Sequence, residues 1–254
     1  MRARPSLGLP RWATGRGRSR SWPESPNTPG SRRSLNENCQ CREGEVSENR
    51  LELEREIAST LEELNETRRK LVALRRKLPP DPVRDYELKN ADGPVKLSAM
   101  FGDSDDLILV HNMGTGCSNC TMWADGFNGV YHHLQSRAAF AVVSPDNPGV
   151  QQAFARRRGW RFPMYSAEDT TFTEDMGFRW EEEAFLSGYQ PGVSIFCKNA
   201  DGTIVRVAKD YFGPGDLYCG VWHLFDLLPD GPDGWDPLFD YPSASGWAGT
   251  DRIG

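Results

Sequence analysis

The chain has 254 residues, of which 38% are hydrophobic and 26% charged, and its formal net charge is −6. The charge is uneven, because residues 1–42 carry nine arginines and two glutamates, a net of +7, which leaves −13 for residues 43–254. An acidic body argues against nucleic acid as a partner, since phosphate contacts need clustered lysine and arginine. No stretch approaches the roughly 20 apolar residues that span a bilayer, so we expect no membrane partner.

Residues 1–46 have the composition of a leader that does not pack. They are rich in Arg, Ser, Pro and Gly, and they lack the apolar run of about 7–15 residues that a secretory signal requires. The Arg and Ser content also suits an organelle transit peptide, but prolines and glycines break the helix that such a peptide forms. We therefore predict a disordered or mis-started leader. Six cysteines are too few for a disulfide-stapled secreted domain, which favours a cytoplasmic location.

Residues 47–80 are predicted to form a long amphipathic helix that ends before Pro79. Four apolar residues lie seven positions apart: Ile57, Leu64, Leu71 and Leu78. One interpretation is a dimer through residues 48–78. The other is a helix packed on its own domain, which Arg68 and Arg75 favour because they interrupt the apolar seam.

Residues 81–230 alternate between strand and helix patterns. In chain order these are a hairpin at Asp92-Gly93, a buried strand over 107–110, a helix through Trp123 and Leu134, a buried strand ending at Ser144, the helix "PGVQQAFARRRG", two strands joined at 199–202, and a last helix over Leu217–Leu228. The order predicts an α/β fold, a thioredoxin-like mixed sheet flanked by helices. Residues 231–254 are predicted to be an irregular tail.

The segment "HNMGTGCSNCTMWADGFNG" carries Cys117 and Cys120 between a predicted strand and a predicted helix. The thiolate is the nucleophile in disulfide exchange, and a helix N-terminus stabilises a nearby anion. We therefore predict Cys117 as the nucleophile and Cys120 as the resolving thiol of a thiol–disulfide oxidoreductase. The expected partner is a protein or small-molecule disulfide or thiol, and no cofactor is expected.

Three residues are candidate neighbours of this dithiol. Pro191 immediately precedes a predicted strand, where thioredoxin-like folds place a cis-proline that forms a wall for the substrate. His111 ends the strand before the motif and would tune Cys117 or shuttle protons. Asp125 is either a general base near Cys120 or a solvated helix residue.

Two alternatives remain open from the residues. Cys219 and His223 lie four apart on the predicted last helix and, with Cys117 and Cys120, would make a Cys3His zinc site. Cys219 or Cys197 could instead relay the disulfide. The second alternative is a thioredoxin-fold interaction module without catalysis.

Several blocks in one order resemble the thioredoxin-like family known as domain of unknown function 899. They are "RRKLPP", "DGPVKLSAMFG", "HNMGTGCSNCTMWADGFNG", "FAVVSPD", "RGWRFPMYS" and "PGVSIF". The resemblance, from Leu71 to about Leu228, implies a fold related to the peroxiredoxin and cytochrome-maturation branches. Neither cysteine has the Pro and the Thr or Ser that a peroxiredoxin motif places seven and three residues earlier, so peroxidase activity through that motif is not expected.

Overall fold

The computed structural model describes residues 43–180 and 188–241. Residues 1–42 of the predicted leader, with Cys39 and Cys41, and residues 242–254 of the predicted tail lie outside the described residues. The chain divides into two units between Pro79 and Pro80.

In the part of the chain that the structure describes, the first unit consists of helix α1, Glu43–Arg75, and the turn that follows it. The turn closes through the N–H of Leu78, which donates to the carbonyl of Arg75 at 3.1 Å. Pro79 follows, and proline has no N–H with which to continue a helix. The predicted helix is thus observed as an α-helix.

The second unit begins at Pro80 and contains strands and short helices. The strands are β1 (Asp81–Val83), β2 (Glu87–Asn90), β3 (Gly93–Lys96), β4 (Asp106–His111), β5 (Ala139–Ser144), β6 (Met164–Ser166), β7 (Arg179–Trp180), β8 (Gly188–Tyr189), β9 (Gly192–Lys198) and β10 (Ile204–Tyr211). The helices are α2 (Ser118–Gln135), α3 (Pro148–Arg158), α4 (Phe172–Asp175) and α5 (Gly220–Phe225), with a 3-10 helix at Leu97–Phe101.

The main sheet has the strand order β1-β10-β9-β4-β5-β6-β2-β3. At its centre, β4 pairs in parallel with β5 and antiparallel with β9, and β9 continues antiparallel into β10. The central order β5-β4-β9-β10, with α2 connecting β4 to β5, is the thioredoxin-like arrangement. The predicted fold class, a mixed sheet flanked by helices, is confirmed.

The two faces of the sheet bury separate cores, because successive side chains of a strand point to opposite faces. In the first core, Leu107 and Leu109 of β4 pack with Phe101, Phe172 and Phe178. The second core contains Val110 and Val142 together with three residues of α2, and with Phe162, Phe212 and Trp222. The α2 residues in that core are Cys120, Trp123 and Ala124. The second core therefore holds the inner cysteine of the dithiol.

The predicted hairpin at Asp92-Gly93 is confirmed, with β2 and β3 paired on either side of it. Gly93 has φ +131°, a conformation that glycine adopts far more readily than other residues. The last helix is shorter than predicted and begins at Gly220 rather than Leu217. The reason is the Asp216 carboxylate, which accepts the N–H groups of Tyr218 and Cys219 and so holds a turn there.

None of the helices within the described ranges combines the length and the apolar content that a bilayer-spanning helix needs.

Candidate functional site

Cys117 is the residue that caps the N-terminus of α2. Its backbone is extended, with φ −105° and ψ 109°, and its sulfur accepts the N–H of Cys120 at 3.1 Å. The first turn of a helix leaves N–H groups without intrahelical partners, and these carry partial positive charge. A sulfur at this position therefore lies where a thiolate is stabilised.

Cys120 lies one turn further into α2 and is almost completely buried, at 2% exposure. Its sulfur accepts the backbone N–H of Met113 at 3.5 Å, and the amide of Asn112 donates to its carbonyl at 3.4 Å. Cys117 is only partly buried, and both cysteines carry free thiols. The two sulfurs thus differ in access, as an attacking and a resolving thiol must.

The environment also gives the two thiols different pKa values, lower for the accessible Cys117 and higher for the buried Cys120. Hydrogen bonding by the Cys120 side chain is the largest cause that lowers the pKa of Cys117, helped by the N–H groups of Cys120 and Asn119 and opposed by burial. The same hydrogen bond, together with burial and the negative charge of Cys117, raises the pKa of Cys120 well above its ordinary value. The first proton therefore leaves from Cys117.

Alkylation should reveal this difference, because only the thiolate reacts with iodoacetamide at an appreciable rate. Since the pKa of Cys117 is lowered, its thiolate fraction rises at a lower pH than in an ordinary thiol. Burial raises the pKa of Cys197 to about 11, so that thiol stays protonated over the same range. Peptide mass spectrometry across a pH series measures both rates, and equal midpoints for Cys117 and Cys197 would contradict the assignment.

The loop between β4 and α2 is held by hydrogen bonds at nearly every residue. The N–H of Asn112 donates to Val143, and the N–H of Gly114 donates to the Asn112 side chain at 2.8 Å. The N–H of Cys117 donates to the carbonyl of Gly114 at 3.2 Å, which closes a turn directly before the helix. The block "HNMGTG" is therefore a scaffold that fixes the position of Cys117.

Asp146, which follows the neighbouring strand β5, supports the same loop. Its carboxylate accepts the N–H of Thr115 at 2.8 Å and the hydroxyl of Ser144 at 3.2 Å. Gly114 has φ +111°, and a Cβ built on it would lie 3.0 Å from this carboxylate. A glycine is thus required here both by its backbone conformation and by the space available.

Replacing Asp146 by alanine is expected to lower the free energy of unfolding by about 1–3 kcal/mol, because partly buried donors lose their acceptor. Asp146→Asn should lose less, since its amide oxygen still accepts a hydrogen bond. Chemical denaturation measures both variants, with the exposed Asp103→Ala as a control that leaves stability unchanged. Equal stability of the two Asp146 variants and the wild type would show that the loop does not depend on this carboxylate.

The peptide bond before Pro191 is trans, since the described residues contain no cis bond, so the prediction of a cis-proline is wrong. The physical reason is the pairing on either side of it. The N–H of Gln190 donates to Phe178 at 2.7 Å, and the carbonyl of Pro191 accepts the N–H of Phe212 at 2.9 Å. Pro191 thus lies directly before β9 and contacts through its carbonyl Phe212, a residue of the core that holds Cys120.

His111 lies on the opposite face of the sheet from the dithiol. Its ring stacks on Phe178 at 3.8 Å between centroids, and its Nε2 is 2.9 Å from the hydroxyl of Ser194. Burial, and then the charges of Arg206 and Lys209, hold its pKa well below the ordinary value. The prediction that His111 tunes Cys117 is wrong, because the alternation of side chains along β4 directs it into the other core.

Asp125 forms an ion pair with Arg158 and accepts the indole N–H of Trp160 at 2.8 Å. Arg158 in turn donates to the carbonyl of Phe239. Asp125 therefore ties α2 to the end of α3 and to the chain near Phe239. The structure does not bring it to Cys120, so its predicted role as a general base is not supported.

The zinc alternative required Cys117, Cys120, Cys219 and His223 to converge. No three His, Cys, Asp or Glu side chains among the described residues form a group that could hold a metal ion. His223 instead donates through Nε2 to the carbonyl of Asp216 at 2.9 Å. The Cys3His hypothesis is therefore wrong, since the imidazole is held away by this backbone contact.

The remaining thiols have separate environments. Cys219 is buried in the same core as Cys120, and burial raises its pKa. Cys197 donates to Asp106 Oδ1 at 3.2 Å, and its neighbours in the sheet belong to the far end of β4. The structure thus brings Cys219, but not Cys197, into the core of the dithiol.

The sequence analysis did not identify Asp146 and Asn112 as residues of the site. The signal that could have found Asp146 is its position, because the carboxyl ends of parallel strands meet at one edge of a sheet. Ser144-Pro145-Asp146 follows β5, the parallel neighbour of β4. Gln151 completes this edge, donating to the Ser144 hydroxyl at 2.7 Å and to the carbonyl of Tyr165 at 2.9 Å.

Solved structures with a similar chain arrangement include peroxiredoxins. Peroxidoxin BcpB from Mycobacterium tuberculosis is 24% identical, over 49% of this chain and 80% of its own, with a TM-score of 0.41. A mutant of Xanthomonas campestris peroxiredoxin Q is 17% identical over 50% and 80%, with a TM-score of 0.42. Reduced Prx3 from Vibrio vulnificus is 15% identical over 55% and 90%, with a TM-score of 0.45. Similarities this low say nothing about activity.

Among curated proteins, none matches the chain. A family model does match, over residues 45–244, and its description is "Bacterial protein of unknown function (DUF899)". The matched range includes α1 from Glu45 onward, the scaffold loop, the dithiol and the strands around them. Because it covers well over half of the chain, this protein belongs to the DUF899 family.

Proposed function

We propose that the protein is a thiol–disulfide oxidoreductase that uses Cys117 as the nucleophile and Cys120 as the resolving thiol. The observation that carries the proposal is the asymmetry of the pair. One sulfur caps a helix of 18 residues and has a lowered pKa, whereas the other is buried and has a raised pKa. Thiolate character together with access is what determines the reactivity of a cysteine.

The reaction follows from this order. The Cys117 thiolate attacks one sulfur of a substrate disulfide, which forms a mixed disulfide and releases the other substrate sulfur as a thiolate. Cys120 then gives up its proton and attacks the Cys117 sulfur, which forms the Cys117–Cys120 disulfide and releases the second substrate thiol. Two electrons pass from the dithiol to the substrate, and an external dithiol restores the reduced pair. Each step is reversible, so the potential of the pair sets the direction.

The scaffold loop supports the proposal in a further way. Formation of a disulfide requires the two sulfurs to approach to about 2 Å. Cys117 caps α2 and Cys120 lies in its first turn, so the two residues are already adjacent. Fixing the loop through Asn112 and Asp146 limits the freedom of Cys117 before reaction. A group held near its reacting geometry needs less reorganisation to react.

Trapping tests the proposal directly. Cys120→Ser should accumulate a mixed disulfide between Cys117 and a disulfide substrate, such as insulin, because the resolving thiol has been removed. Cys117→Ser should form no such adduct. Non-reducing electrophoresis and peptide mapping identify the linked cysteine. Adducts through Cys219 or Cys197 in the Cys120→Ser variant would contradict the assignment, and the absence of any adduct would favour a non-catalytic interaction module.

A further inference from the structure

Helix α1 carries a stripe of exposed apolar side chains. The members on α1 are between 40% and 59% exposed: Leu53, Ile57, Leu61, Leu64, Leu71 and Leu74. Leu78, in the hydrogen-bonded turn that follows α1, continues the stripe and is 61% exposed. Contiguous apolar surface of this kind marks a site of interaction. The stripe recurs at the spacing of a coiled coil, with Ile57, Leu64, Leu71 and Leu78 each seven residues apart.

The charge of the same helix changes sign along its length. Residues 43–66 hold nine glutamates and two arginines, whereas residues 67–77 hold six basic residues and no acidic one. A second copy of the helix running in the opposite direction would place the basic part of one against the acidic part of the other. A copy running in the same direction would place like charges side by side.

We propose that α1 pairs with α1 of a second copy of this chain as an antiparallel two-stranded coiled coil. We number the heptad so that Ile57 is at position a. In an antiparallel coiled coil, each core layer then packs an a residue of one helix against a d residue of the other. One register places every residue of the stripe except Leu61, which lies at position e, in a core layer. Its layers within α1 are Ile57 with Leu74, Leu64 with Thr67, and Leu71 with Thr60, each occurring twice about the two-fold axis. Leu78, in the turn that follows α1, would face Leu53 of the other copy.

Four charged residues at position g flank these layers and pair favourably. Glu63 faces Lys70 of the other copy, and Glu56 faces Lys77, which lies in the turn directly after α1. Threonine in two of the layers weakens the apolar core, so these opposite charges select the register and the direction. The proposal concerns α1 alone and is independent of the chemistry of Cys117.

The parallel alternative fails on the same residues. In a parallel coiled coil, a g residue faces the e residue five positions later on the other helix. Lys70 would then face Arg75, and Glu56 would face the apolar Leu61. Only Glu63 with Arg68 would be attractive. The charge pattern therefore favours the antiparallel direction.

The oligomeric state of the full chain tests the proposal. Sedimentation velocity over a concentration series should give a species of twice the chain mass. A protein that remains monomeric at its highest soluble concentration would overturn the proposal, including the case in which α1 packs on its own domain. A dimer that persists unchanged after the substitutions described next would place the interface elsewhere and would also overturn it.

Two charge-reversed variants test the register. Glu56→Lys with Glu63→Lys makes these four g positions basic, and Lys70→Glu with Lys77→Glu makes the same four acidic. Each variant alone should dimerise at least tenfold more weakly, because its four flanking pairs become repulsive. An equimolar mixture should recover a heterodimer, in which all four pairs are attractive again. In a parallel dimer, by contrast, Lys70→Glu would create an attraction to Arg75 and strengthen the homodimer.

Matched controls carry the same charge changes on the face away from the seam. Glu52→Lys with Glu66→Lys lies at position c, and Arg69→Glu with Arg76→Glu lies at position f. Both should dimerise within about twofold of the wild type, since surface charges outside the seam face no partner. Weakening by the controls equal to that of the seam variants, or failure of the mixture to form a heterodimer, would overturn the antiparallel register.

Discussion

Replacing Cys117 by serine is expected to abolish thiol–disulfide exchange, with a loss of at least about a thousandfold, which is the scale on which removal of a nucleophile acts. A serine hydroxyl does not ionise at neutral pH. Cys120 cannot substitute for the missing thiolate, because it is 2% exposed and its pKa is raised. The other two thiols within the described ranges are no better placed, since the pKa values of Cys219 and Cys197 are also raised.

Insulin reduction in the presence of dithiothreitol measures this loss. Cys197→Ser is the matched control, because it removes a free thiol of raised pKa from the other part of the sheet and should retain the wild-type rate. Cys120→Ser should react once and then stop. If Cys117→Ser kept its turnover while Cys120→Ser lost it, the two roles would be reversed.

Gly192→Ala is expected to destabilise the fold by about 3 kcal/mol, the upper range for overpacking a core. A Cβ on Gly192 would lie 2.3 Å from the carbonyl oxygen of Asp210 and 2.4 Å from Cε1 of Phe178. One of these contacts is backbone, and Phe178 itself is fully buried and stacked on His111. Strands β9 and β10 would therefore have to separate locally.

Urea denaturation measures this effect as a lower midpoint with an unchanged slope. Gly126→Ala is the matched control, because it lies on α2 with no neighbouring atom within 4 Å of a built Cβ. Alanine in an open helical position should instead raise stability by about 0.5–1 kcal/mol. A Gly192→Ala variant as stable as Gly126→Ala would show that β9 and β10 do not pack as described.

The parts of the fold that the sequence predicts are those with a local signal. The apolar run at residues 107–110 and the Asp92-Gly93 turn carry such signals, and both are observed. Strands β6 and β7 were missed, because three- and two-residue strands are too short to show a period. The pairing of β1 with β10 joins residues more than 120 positions apart, and no local pattern encodes it.

The sequence likewise predicts the part of the site that depends on neighbouring residues in the chain, and it misses the part that depends on distant ones. The position of Cys117 depends on a strand and a helix that adjoin it in sequence, and the structure places it at that junction. The contribution of Asp146 depends on the neighbouring strand, and the trans bond at Pro191 depends on pairing with Phe178 and Phe212. Contacts of this kind arise only once the sheet has formed.

Disulfide exchange measured across a range of redox potentials shows whether Cys117 and Cys120 form a redox-active pair. The wild-type protein is incubated with insulin, or with its reduced chains, in glutathione buffers that span reducing to oxidising conditions. A redox-active pair should catalyse exchange at some potential and should give a Cys117–Cys120 disulfide in the peptide map of the oxidised protein. Absence of exchange at every potential, with both thiols remaining free, would contradict this assignment.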